Sequence, residues 1–125
     1  MTIAAILFSL FSLIVIGFQL ALALGAPWGE YTMGGQNEGR LPTPLRIAAA
    51  VQMLVIAFFA LVALTRAGLI LPGMFAFSRV AIWFVFGFFV LGTILNWITP
   101  SKKERYLWGP VNTLMMALSL FLALG

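Results

Sequence analysis

The chain has 125 residues, 63% of them hydrophobic and only 8% charged, with seven Lys and Arg against three acidic residues for a formal net charge of +4. A soluble domain is nearer a quarter charged, so this composition excludes a water-facing surface and points to one lipid-solvated domain over residues 1–125. Cys, His and Asp are absent and the carboxylates are Glu30, Glu38 and Glu104, so the chain alone builds no Cys/His metal site, haem ligand, thiol redox pair or Ser-His-Asp triad, and no cofactor is indicated.

Residues 3–24 carry no charge, and roughly 20 apolar residues suffice to span a bilayer core. A signal peptide fits poorly because a basic n-region is missing and the apolar run is too long. These residues predict the first transmembrane helix. Gly17, Ala21 and Gly25 recur every four residues, a small-residue ridge suited to close helix approach and to a homo-oligomer. Ser9, Ser12 and Gln19 share a different face.

Residues 25–43 hold five Gly and two Pro, which predicts tight turns and no continuous helix. Trp28 and Tyr31 are amphipathic aromatics suited to the headgroup layer. Thr43-Pro44 reads as an N-cap followed by Pro at the first helical position, opening a second helix over 44–65. Gln52 then falls roughly 12 Å deep at 1.5 Å per residue. Arg66 closes the helix, where a cation complements the negative end of the macrodipole.

Residues 67–76 are apolar but broken by Pro72-Gly73. They predict a short hairpin near the interface, with a kinked extension of the third helix as the alternative. Ser78 is the expected N-cap of that helix, over 78–98, with Arg79 snorkelling from its first turn. Thr93 and Asn96 share a face near its far end. Thr99-Pro100 stops it, and Ser101-Lys102-Lys103-Glu104 matches a capping box. A fourth helix over 102–124 follows, with Pro110 inside it and Asn112, Thr113 and Ser119 as its polar positions. The fold class is all-α, a polytopic membrane protein with a four-helix transmembrane bundle.

Four spans put both termini and the 66–77 turn on one side, and the 25–43 and 99–108 loops on the other. The two-loop side carries Arg40, Arg46, Lys102, Lys103 and Arg105, against Arg66 and Arg79 opposite. That excess predicts a cytoplasmic two-loop side with both termini outside. The basic residues flank apolar segments, which suits contact with membrane lipids and argues against nucleic acid.

Gln19, Gln52, Asn96 and Asn112 lie on four different helices within roughly three turns of the two-loop face. Beyond them come Glu30, Arg46, Glu104 and Arg105, with the aromatics Trp28, Tyr31, Tyr106 and Trp108. Polar groups in a membrane pair with one another or line a wet cavity. One reading is structural: the amides cap loop backbone, and Glu30 or Glu104 pairs with Arg46 or Arg105. The other is a ligand cup for a small molecule or lipid. The surplus of Arg and Lys with glycine-loop N–H groups favours an anion or a lipid headgroup.

A small transporter or channel for an anionic or amphiphilic solute is the runner-up, as a dimer because four helices are few for alternating access. No carboxylate falls mid-helix, which counts against proton-coupled antiport. An enzyme would have to rely on Glu30 or Glu104 as acid or base, with no motif behind it. The pattern GAPWG…GG…GRLPTPLR followed by NWITPSKKERYLWGP resembles a group of small bacterial four-helix membrane proteins of unassigned function, over nearly the whole chain. The resemblance implies a bacterial inner-membrane setting and no chemistry. The helix 1 Glu of small multidrug transporters and the Asn plus Gly-Ser-Phe of fluoride channels are not matched. The expectation is a non-catalytic ligand-binding or accessory membrane protein.

Overall fold

In hydrocarbon every peptide N–H and C=O must be satisfied within its own segment, and each apolar stretch answers with an α-helix. The computed structural model describes all 125 residues, as α1 (Thr2–Ala23), α2 (Thr43–Arg66), α3 (Phe75–Ile98) and α4 (Lys102–Leu124). All four are long and apolar enough to cross a membrane. At about 1.5 Å per residue they run about 33–36 Å, against a core of about 30 Å. Only 26 of the 125 residues are buried, and the large side chains left outside, such as Ile3, Leu54, Phe84 and Ile98, are apolar. That surface is solvated by lipid and not by water. The chain is a polytopic all-α membrane protein.

The helices pack as two hairpins, α1 on α2 and α3 on α4, with looser contact between them. The main core lies towards the termini. It joins Ala5 and Phe8 of α1, Val62 and Ala63 of α2, Ile82 and Val85 of α3, and Leu122 of α4. Phe8 meets Phe89 edge-on with ring centroids 5.5 Å apart, a favoured aromatic geometry. A small second cluster of Leu22, Leu41 and Ala49 seals the loop end between α1 and α2. The loop end between the two hairpins has no such seal.

The boundaries depart from expectation in three places. Phe75 begins α3, not Ser78, which is buried inside the first turn with its hydroxyl donating to Phe75 O at 2.6 Å. A 3-10 turn at Pro72–Met74 runs directly into this helix, so residues 72–76 are its extension and only 67–71 form the turn. Proline's fixed φ suits the start of a helix, and Leu71, in the left-handed region at φ 45°, turns the chain just before it. Thr43 is the first residue of α2 and not its cap, with Pro42 in the capping position and no side-chain cap bond. Gly25 lies beyond the end of α1 at φ +100°, packed on Arg40, so it is a turn glycine and no part of a helical ridge. Gly17 is open on the surface, with nothing within 4 Å of where a Cβ would stand.

The capping box at α4 forms only by half. Ser101 Oγ accepts from the Glu104 N–H at 3.1 Å. The Glu104 side chain does not return to Ser101, whose own N–H donates to Thr99 Oγ1 at 3.3 Å. It reaches across to the other loop instead.

Candidate functional site

Where the two hairpins fail to seal, a cavity of about 590 Å³ opens. Small-molecule pockets run from roughly 300 to 1,000 Å³. Gln19 of α1, Gln52 of α2, Asn96 of α3 and Asn112 of α4 all line it. Gly92 faces Asn112, whose Cγ stands 4.0 Å from where a Cβ would be. The missing side chain leaves that part of the volume open.

The amides do not pair with each other. Asn96 Nδ2 donates to Gly92 O at 2.7 Å, back into its own helix. Gln19, Gln52 and Asn112 make no side-chain hydrogen bond within the chain, and none of their polar atoms is sealed away. Three free amides on one cavity wall differ from the closed, dry layer that helix packing alone would give.

At the loop end the cavity is bounded by residues 31–34 and by Thr99, Pro100, Glu104 and Trp108. Met33, Gly34 and Gly35 all have φ between +51° and +73°, a left-handed turn that aims the Gly34 N–H at Glu104. It donates to Glu104 Oε2 at 3.0 Å. Glu104 is 8% exposed, and the one ion pair of the structure lies elsewhere, between Lys103 and Glu30 at 2.6 Å. Ser101 Oγ also donates to Glu30 O at 2.7 Å. The first loop is thus clipped to the start of α4 at three points, over the cavity.

The far end is apolar. Ile56, Phe88 and Phe89 close it against the main core, and Leu91 and Leu95 of α3 form a wall whose outer side is exposed. Trp108 packs its ring on Phe18 with centroids 4.7 Å apart. Its indole N–H is buried without an acceptor, a cost most buried donors avoid.

Six of the ten residues singled out by sequence therefore stand on one cavity: Gln19, Gln52, Asn96, Glu104, Trp108 and Asn112. The other four stand off it, each with a local task. Trp28 is exposed and stacks on the outer part of Phe18 with planes 9° apart. Glu30 pairs with Lys103 and with neither arginine. Arg46 Nε donates to Ala23 O at 3.0 Å, satisfying a terminal carbonyl of α1 where a cation also complements the helix dipole. Arg105 Nη2 donates to Thr99 O at 2.7 Å, just past the end of α3. No Lys or Arg lines the cavity, and its one charged wall residue is Glu104. Tyr31, placed beside these residues by sequence, also lines the cavity, as do Phe88, Phe89 and Gly92, which sequence did not single out. The Gly92/Asn96 spacing of four, one helical turn, was the available signal for the last.

Fold and site together define a four-helix polytopic membrane protein with a polar-mouthed, apolar-floored cavity in the loop half of the bundle. No protein-family model, no curated protein and no solved structure matches the chain.

Proposed function

We propose that this is a non-catalytic integral membrane protein that binds a small ligand in the cavity between its two helical hairpins. The observation that carries the reading is the set of amides on Gln19, Gln52 and Asn112, unpartnered in the protein and gathered from three helices onto one wall. Uncompensated polar groups at membrane depth are costly, and an occupant that hydrogen-bonds them offsets that cost. The non-catalytic reading is supported by the wall's residue types: Glu104 is its one carboxylate and has only hydroxyls and amides around it, with no second acid or base.

Binding is favoured over conduction by the closed aromatic core past Phe88 and Phe89, which offers a single chain no continuous polar path. The resemblance noted above supports a bacterial inner-membrane location, and the basic excess supports cytoplasmic placement of the two loops.

The chain has no Cys, so single-cysteine labelling of the purified chain, reconstituted into vesicles without added ligand, tests the reading cleanly. Gln52→Cys is expected to react with a small water-soluble thiol reagent, whereas Ala63→Cys in the core is not. Equal inertness of both positions would mean a dry packing layer and would sink the proposal.

A further inference from the structure

We propose that the ligand of this cavity is a cationic amphiphile, a protonated amine on an aliphatic tail, held with its head between Glu104 and the amide wall. The inference rests on the binding reading above and adds the ligand class. Three observations on different parts of the wall carry it.

The first is charge. Glu104 is the only ionisable carboxylate or base on the cavity, is nearly buried, and is met by the Gly34 N–H and the Thr99 hydroxyl but by no cation. All seven Lys and Arg stand off the wall, and those of the two loops that bond at all are spent on Glu30 or on the carbonyls of Ala23 and Thr99. A buried carboxylate without a cation is unfavourable, and a cation brought in beside it compensates. An anion would meet the opposite.

The second is hydrogen-bonding capacity. The side-chain oxygens of Gln19, Gln52 and Asn112 are acceptors without a partner in the protein. An ammonium carries three donors and no acceptor, so the carboxylate and amide oxygens can accept from it, while the amide N–H groups and the buried Trp108 N–H are donors it does not use. Trp108 stands one helical turn from Glu104, which puts an aromatic ring at the same end; the Tyr31 ring is already met by Lys103 Nζ, 5.5 Å from its centroid. Aromatic faces attract cations.

The third is the polarity gradient. Away from Glu104 the wall becomes Ile56, Phe88, Phe89 and the α3 leucines, which suits an aliphatic tail. Leu91 and Leu95 are themselves exposed on the lipid side, so a tail can leave between the hairpins into the bilayer.

The test uses the whole chain labelled with 5-fluorotryptophan in phosphatidylcholine nanodiscs, with the Trp108 resonance assigned by Trp108→Phe. Undecylamine, undecanol and undecanoate are titrated at equal mole fractions. The amine is expected to shift the Trp108 resonance saturably at a mole fraction roughly tenfold below the other two, the scale of a hydrogen bond to a charged group. Glu104→Gln, which keeps an oxygen for Gly34, is expected to erase that advantage. If undecanol or undecanoate shifts the resonance as well as the amine does, the cationic class is overturned while cavity binding stands. If none shifts it saturably, both fall. The head groups themselves are compared on the wild-type chain, and the variants serve only to assign the resonance and to locate the charge. A further arm replaces part of the lipid by phosphatidylethanolamine, whose headgroup carries the same ammonium. Saturation before amine is added identifies the lipid as the source, and an unshifted resonance identifies a free amine.

Discussion

Glu104 holds two roles in one side chain, lining the cavity and accepting the Gly34 N–H. Glu104→Gln preserves an acceptor for Gly34 and removes a buried charge, and replacing buried charge is often neutral or stabilising. The melting temperature in detergent is therefore expected to hold or rise, and a fall would show that the charge itself secures the loop. Gly35 is the sharper structural position. It has φ +72°, and a Cβ there would stand 2.7 Å from Ser101 Cβ. Gly35→Ala is expected to cost about 1–3 kcal/mol through backbone strain and to loosen the clip between the loops. Faster trypsin cleavage after Arg40 is the readout, and unchanged cleavage would mean that the clip does not restrain the loop.

Among the elements, the start of α4 and its seat against α3 position the site. Ser101 caps the helix and also donates to Glu30 O, so Ser101→Ala is expected to cost about 1 kcal/mol for the cap alone, measured by denaturant or thermal unfolding. Gly109 is buried under the Trp97 indole, 2.9 Å from a would-be Cβ, and that indole donates to Thr113 Oγ1 at 2.9 Å. Gly109→Ala is expected to displace Trp97 and quench or shift its emission, whereas Gly17→Ala, on open surface, is expected to do neither.

How far the sequence discloses these elements follows from what sets them. The four spans are legible because long uncharged runs have only one solution in lipid. The start of α4 is legible because its cap is local, Ser101 to Glu104. The start of α3 is not, because Ser78 bonds its own preceding turn and Leu71 takes a left-handed conformation with no glycine to announce it. The amide layer is legible from depth along each helix. The partners of Glu30, Arg46 and Arg105 are not, since they depend on the left-handed turn at Met33–Gly35 and on which carbonyls the helix ends leave open. The apolar walls are illegible for a different reason. In a chain solvated by lipid, Phe88 facing a cavity and Phe84 facing the bilayer look alike.

Over the whole molecule, the arrangement is a bundle sealed at the terminal end and open at the loop end. The positive-inside bias predicts that end to face the cytoplasm. In intact spheroplasts an impermeant thiol reagent is expected to label Gly73→Cys and to reach Glu38→Cys only after permeabilisation. Labelling of Glu38→Cys alone would invert the topology, and labelling of both would indicate dual insertion. The central claim, that the cavity between the hairpins is an occupied binding site, is tested most directly by a high-resolution structure in native lipid. The account predicts ordered non-protein density contacting Gln19, Gln52, Asn112 and Glu104, with an elongated extension towards Phe88 and Leu95. A collapsed interior in which those amides pair with one another and Glu104 with Arg105 would contradict it, and would make the polar layer a packing device alone.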